Sequence, residues 1–222
     1  MVNLVLASLF LPLSHFLISS TPLRAILVNL LGERRYALGY SLLTVAALVW
    51  LIIAYRSAPG LPLWDAPKWL DLALVPVIVV SSILAVAGLT TPNPVIVGAR
   101  RLFDRPDIVR GVLRVSRNPF FWGAGLFSIA HVIILGDVAG LLIFGSIGFL
   151  GIAGASILDA KKARQHGRAW DAFAAVTSNI PFVAIIQGRQ RLELREIGLW
   201  RIALGACVSL GALACTVFDV CT

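Results

Sequence analysis

Long apolar runs, separated by shorter polar segments, occupy most of the chain. A helix needs about 20 mainly apolar residues to cross a bilayer. Six runs reach or approach that length, at residues 2–18, 37–55, 69–89, 119–135, 138–158 and 199–217. The pattern predicts an all-α fold, a polytopic membrane helix bundle with about six transmembrane helices, in a single domain over residues 1–222.

The polar segments between these runs indicate how the helices are connected. The turn Leu135-Gly136-Asp137 is so short that helices four and five should form an antiparallel hairpin. Helix five carries Gly148, Gly151 and Gly154 at three-residue spacing, which favours close helix packing in lipid. Residues 90–117 and 159–198 are long and polar, and we expect them to form a cytoplasmic cap of loops and amphipathic helices.

The distribution of charge predicts the orientation of the bundle. Only 14% of the residues are charged, against about 25% in a soluble domain. Of the 19 Lys and Arg residues, 17 lie on one side of the predicted membrane, and only Arg56 and Lys68 lie on the other. Basic residues favour the cytoplasmic side, so both termini should face outward. The net charge of +8 is thereby assigned to loops beside the lipid bilayer, and no nucleic-acid partner is expected.

Two histidines lie inside the predicted spans. His131 interrupts residues 120–135, which contain no Asp, Glu, Lys or Arg, and His15 lies in helix one. A histidine within lipid is costly and normally has a partner, so each is a candidate for function. The commoner role of such a residue is a hydrogen bond to a neighbouring helix, and that alternative stays open. His166 lies in a basic segment and is predicted to be a solvated loop residue.

Helices one and four run in opposite directions, which sets the two imidazoles at different depths. At about 1.5 Å per residue, His15 lies roughly 5 Å and His131 roughly 18 Å from the cytoplasmic end of its helix. Helices pack about 8–10 Å apart, so the pair could flank a flat group held obliquely. Zinc needs three or four ligands, which the spans do not offer at these depths, whereas haem needs only axial ligands. The chain has no CxxCH motif, so the haem would be b-type.

Three segments, in order along the chain, resemble the NnrU family. They are SHFLISSTPLRAILVNLLGERRYALGYSLLTVAALVWLIIAYRSAP, RVSRNPFFWGAGLFSIAHVIILGD and GRAWDAFAAVTSNIPFVAIIQGR. The resemblance covers nearly the whole chain and implies a multi-pass protein of the bacterial inner membrane. It places His15 and His131 on the family's histidine positions, as metal ligands of haem b.

The resemblance implies two versions of the function. The family includes the zeta-carotene isomerase of plants and cyanobacteria, a membrane haem b enzyme, which suggests a haem-dependent cis–trans isomerase of an apolar polyene. Such a bond change needs no co-substrate, which suits helices without buried carboxylates. Bacterial members are associated with denitrification and nitric oxide reduction, which suggests a partner in a respiratory or denitrification membrane complex.

The chain departs from the family at the start of helix four. The family usually has Arg-His-Pro where this chain has Arg117-Asn118-Pro119. Asn118 cannot ligate iron or shuttle protons as imidazole does, so any role of that third histidine is absent here. Arg117, Asn118 and Trp122 are nevertheless predicted to belong to the cofactor site, since they open helix four beneath the proposed haem. The guanidinium would suit a haem propionate, and the indole would flank the porphyrin.

Two further functions remain as alternatives. Membrane isoprenylcysteine and phospholipid methyltransferases show a second resemblance, carried by Arg117, Pro119, Gly123, Gly167, Trp170, Phe173 and Ile180-Pro181. That similarity implies methyl transfer from S-adenosylmethionine, with Arg114, Arg117 and residues 159–186 around the cofactor. The last alternative is a non-catalytic membrane scaffold, which would bind neither cofactor.

Overall fold

The computed structural model describes residues 1–95, 102, 103, 105 and 107–217, with side chains through Gly211. Arg100 and Arg101, predicted on the third connector, lie outside the described residues. Within the described ranges the chain is all-helical, without a strand, as predicted. The helices are α1 Val2–Ser20, α2 Leu23–Leu31, α3 Glu33–Arg56, α4 Lys68–Thr90, α5 Val112–Val115, α6 Pro119–Leu135, α7 Val138–His166, α8 Arg168–Val176, α9 Val183–Ile186, α10 Leu194–Ile197 and α11 Leu199–Val217.

α3 and α7 extend furthest beyond their predicted ends. α3 begins at Glu33, directly after Gly32 ends α2, and an acidic residue in a first turn complements the helix dipole. α7 continues past Leu158 to His166, because residues 159–166 are mostly good helix formers. Gly167, at φ 48°, then ends the helix. An apolar run therefore predicts the part of a helix suited to lipid and not its full length.

Among the described residues, four helices are long and apolar enough to cross a membrane: α1, α3, α4 and α7. Exposed leucines on them, such as Leu42 and Leu72, are the side chains that lipid would cover. α6 has 17 residues, and the part of α11 with described side chains ends at Gly211. The structure therefore supports a membrane protein with several apolar helices. The number of six spans and the outward orientation of both termini stay predictions.

The chain divides into two compact units, and α4, α6 and α7 contribute residues to both. The first unit contains Met1–Leu72 and Ser128–Leu150. Its core is a cluster of apolar side chains from three helices: Leu4, Ala7 and Leu11 of α1, Ala47, Leu51 and Ala54 of α3, and Ala139 and Ile143 of α7. Gly136 turns the chain between α6 and α7 at φ 61°, where a Cβ atom would collide with the Trp64 carbonyl.

A single domain over residues 1–222 stays a prediction.

The second unit contains Ala73–Phe127 and Gly151–Thr222. Here α6 packs closely on α7, as the glycine spacing predicted, because a Cβ atom on Gly151 would lie 2.7 Å from the Phe121 carbonyl oxygen. The predicted cap contains α8, α9 and α10, with Trp170 and Phe173 of α8 buried. These short helices bring residues 177–179 against the start of α6.

Candidate functional site

His131 lies in the interior of the first unit, on α6. Only 4% of its surface is exposed. Its imidazole stacks on the ring of Phe144 in α7, with 4.7 Å between ring centroids and 27° between planes. The neighbouring Ala130 and Ser128 are also buried. The hairpin turn between α6 and α7 explains this placement, because it brings position 131 opposite position 144.

His15 lies on α1 in the same unit and is partly buried. Its ring is 5.1 Å from the ring of Tyr40 in α3, at 54°. Tyr40 in turn stacks on Tyr36, one helical turn away, with 5.9 Å between centroids. The next residue on α1, Phe16, meets Phe149 of α7 edge to face at 5.9 Å.

These ring contacts show at which height along the axis of α7 each of the two histidines lies. Phe16, the neighbour of His15, lies beside Phe149, whereas His131 lies beside Phe144. Five residues of helix separate those two positions, which is about 7.5 Å along the axis. The structure thus places both imidazoles in one unit at different levels, each against a different aromatic ring. The offset predicted from the sequence was on the order of 10 Å.

The donor set is suited to a group that needs few protein ligands. Among the described residues, no three His, Cys, Asp or Glu side chains come together as a metal-ion cluster would require. A bare zinc ion needs such a cluster, whereas haem iron is held by axial ligands alone. Haem iron would need no more protein donors than these two imidazoles, so the residues present meet that group's demand for ligands.

Arg117 opens a separate polar cluster in the second unit. Its guanidinium donates to the carboxylate of Asp159 through Nη2 and, at 2.9 Å, through Nε. The two side chains are only 14% and 15% exposed. The guanidinium carbon also lies 5.4 Å from the ring centre of Trp170, and the Arg117 backbone N–H donates to Ser178 O at 2.9 Å. Arg117 therefore joins α6, α7 and α8.

Asn118 continues this cluster and is 2% exposed. Its Nδ2 donates to Asp159 Oδ1 at 2.6 Å and to Asn179 Oδ1 at 3.1 Å. Trp122 Nε1 donates to the same Asn179 oxygen at 3.0 Å. Ser116 accepts from the Asn118 backbone N–H at 3.1 Å, which fixes the turn before Pro119. We call Arg117, Asn118, Trp122, Asp159 and Asn179 the Arg117 cluster.

The structure therefore sorts the predicted site residues into two groups. His15 and His131 belong to the first unit, and Arg117, Asn118 and Trp122 are brought together in the second. Asp159 and Asn179 bind all three residues of the second group, but the sequence pattern included them only in the broad range 159–186 of the methyltransferase alternative and did not single them out. The available signal was the run of helix formers after Leu158, which continues α7 and brings Asp159 opposite the start of α6.

A second ion pair lies in the same unit. Arg114 Nε donates to Glu196 Oε2 at 2.8 Å, and the Gly111 backbone N–H donates to the same oxygen at 2.8 Å. These side chains are 25% and 35% exposed. The Arg114 side chain, and secondarily the Gly111 N–H, lower the pKa of Glu196, while Glu196 raises the pKa of Arg114. This pair ties α10 to α5.

Comparison with known proteins gives two matches. The chain is 30% identical over 94 residues to the chloroplastic 15-cis-zeta-carotene isomerase of Zea mays, a stretch that is 40% of this chain and 25% of that protein. The chain thus spans about a quarter of the length of that relative. No solved structure matches. The family described as NnrU protein matches residues 3–220, and the chain therefore belongs to the NnrU family.

Proposed function

We propose that this protein is a multi-pass membrane protein of the bacterial inner membrane that binds haem b and isomerises a double bond of an apolar polyene. His15 and His131 would hold the haem iron. The observation that carries the proposal is the occurrence of these two imidazoles on separate apolar helices of one unit, at levels about 7.5 Å apart. The similarity to a zeta-carotene isomerase supports the class of substrate.

The side chains of the first unit have separate tasks in this proposal. Phe144 stacks on His131 and Tyr40 lies against His15, so each ring has a neighbour that limits its rotation. The exposed aliphatic side chains of α1 and α3 would let a polyene arrive from the lipid and would exclude water. Bound haem would supply an iron centre able to act on a conjugated double bond, a reaction that needs no acid or base from the chain.

The membrane orientation belongs to the same proposal. Six spans, with both termini outside, would place the Arg117 cluster and helices α8 to α10 on the cytoplasmic side. The support is the charge distribution, with 17 of 19 basic residues on that side. The orientation is tested with a reporter protein that is active only in the cytoplasm, fused either after residue 167 or after residue 60. The reporter should be active after residue 167. Activity after residue 60 would contradict the proposed orientation.

The direct test of function uses the full chain purified in detergent. A pyridine haemochrome assay should give about one haem b per chain, and incubation with 15-cis-zeta-carotene should change its retention time and absorption spectrum in chromatography. The isomerisation assay is run once with the oxidised protein and once with the reduced protein. Absence of haem would overturn the proposal. Haem without isomerisation would overturn the isomerase part and favour the haem-linked role in nitric oxide reduction.

A further inference from the structure

Helix α2 of the first unit presents an apolar stripe to its surroundings. It contains no buried residue, and Leu23, Ile26 and Leu30 are between 40% and 74% exposed. Their spacing of three and four residues places them on one face of the helix. Nine residues reach only about 13.5 Å, which is too short to cross a bilayer. A short helix of this kind, in a chain with membrane-length helices, is suited to lie along the membrane surface with its apolar face in lipid.

Two arginines directly follow α2. Arg34 and Arg35 lie in the first turn of α3 and are exposed. Neither guanidinium has a hydrogen bond, an ion pair or a stacked ring within the described part of the chain. Arg24 differs, since its guanidinium lies 3.6 Å from the Glu33 carboxylate and 5.5 Å from the ring centre of Tyr36. Glu33 is thereby matched, and the charges of Arg34 and Arg35 are the ones that the protein does not balance.

Arg34 begins a stripe of α3 that faces lipid. Leu38 and Leu42 follow it at four-residue intervals, so all three side chains share one face of the helix. The two leucines are 58% and 70% exposed, and α3 is long and apolar enough to cross a membrane. Arg34 lies one turn beyond Leu38, about 6 Å along the axis, where a long basic side chain extends to the lipid headgroups.

These features together select a phospholipid with a net negative charge. A guanidinium binds a phosphate through two parallel N–H donors, and two adjacent guanidiniums attract an anionic headgroup. An acidic protein segment would match the charge but would leave the apolar stripes of α2 and α3 uncovered. A zwitterionic phospholipid would cover the stripes, but its own cationic nitrogen already balances its phosphate. An anionic phospholipid matches both the stripes and the charge.

We propose that α2 and the first turns of α3 form a binding site for an anionic phospholipid. Its phosphate is held by Arg34 and Arg35, and its acyl chains lie along the exposed apolar side chains of the two helices. This site goes beyond the proposed function, because it depends neither on haem nor on the side of the membrane that α2 faces.

The test is native mass spectrometry of the full chain, purified in detergent and incubated with equal amounts of phosphatidylglycerol and phosphatidylcholine that have the same acyl chains. Bound phosphatidylglycerol should exceed bound phosphatidylcholine about fivefold, the scale of one basic residue beside an anionic lipid surface. The double variant Arg34→Gln/Arg35→Gln should bind the two lipids equally. Size-exclusion and circular-dichroism profiles check that the variant is folded.

The matched control removes the same charge elsewhere. Arg110→Gln/Arg114→Gln neutralises two guanidiniums that already pair with carboxylates, those of Asp107 and Glu196. This variant should keep the preference for phosphatidylglycerol. Equal binding of the two lipids by the wild type, or an equal loss of the preference in both double variants, would overturn the proposal.

A second measurement tests the position of α2 and leaves the arginines unchanged. A tryptophan is introduced by Leu30→Trp or by Asn29→Trp, since Asn29 is also exposed but lies about 100° around the helix from Leu30. In phosphatidylglycerol nanodiscs with brominated acyl chains, the added fluorescence, after subtraction of the wild-type signal, should be quenched more strongly for Leu30→Trp. Quenching that is no stronger than for Asn29→Trp would overturn the proposal as well.

Discussion

The two units differ in what their polar side chains contact. In the second unit, the guanidinium, carboxylate and amide groups of the Arg117 cluster bond to one another and connect α6, α7 and the cap. In the first unit, the imidazoles of His15 and His131 lie against aromatic rings. The Arg117 cluster thus holds α6, α7 and the cap together, whereas under the proposed function the imidazoles of the first unit would hold haem.

The largest expected effect tests the structural role of the Arg117 cluster. Arg117→Ala should lower the free energy of unfolding by about 3–5 kcal/mol, because it leaves the Asp159 carboxylate buried and unpaired. The measurement is denaturant unfolding of the detergent-purified chain. Arg114→Ala is the control: its ion pair with Glu196 is more exposed, and its loss should cost about 1 kcal/mol or less. Equal losses in the two variants would remove the distinction between a buried and a peripheral ion pair.

A smaller effect tests the packing that brings Asp159 to Arg117. Gly151→Ala should destabilise the protein by about 1–3 kcal/mol, because the added Cβ atom meets backbone atoms of α6. Those contacts would be 2.7 Å to Phe121 O and 2.9 Å to Gly125 N. Gly145→Ala, on the same helix but with open space beside it, should change the unfolding temperature little. An unaltered unfolding temperature in Gly151→Ala would contradict the close approach of α6 and α7.

The smallest effect concerns the pH dependence of the Arg114–Glu196 pair. The pKa of Glu196 is lowered from its ordinary 4.5 in the folded chain, chiefly by Arg114. Its contribution to stability is therefore fully present above pH 4.5 and is lost as the pH falls through the lowered value. Thermal unfolding of the wild type and Glu196→Gln should differ slightly at pH 7, and the difference should shrink below pH 4.5. A difference that grows in acid would contradict this assignment.

The apolar runs predicted the main helices well, but they did not predict where α7 ends. Asp159 follows the last apolar residue of its run and was assigned to a loop, whereas the structure continues the helix and presents Asp159 to Arg117. Nothing local links two residues that are 42 positions apart. The pairing of Arg117 with Asp159 therefore could not be predicted without knowing how α6 packs on α7.

The candidate site was predictable to a different degree in each unit. Helix rise, with the predicted opposite directions of the two helices, gave different levels for His15 and His131, and the ring contacts along α7 also place them at different levels. The ring neighbours Tyr40 and Phe144 depend on how the helices are rotated, which the sequence does not specify.

The proposed function requires that His15 and His131 ligate haem. The most direct measurement is the absorption spectrum of the purified chain and of three single variants, His15→Ala, His131→Ala and His166→Ala. The third is the control, since His166 ends α7 with its ring 4.8 Å from Phe103. We expect a low-spin b-haem spectrum in the wild type and in His166→Ala, and a lost or high-spin spectrum in each of the other two. A wild-type spectrum in both His15→Ala and His131→Ala, or a purified chain without haem, would contradict the account.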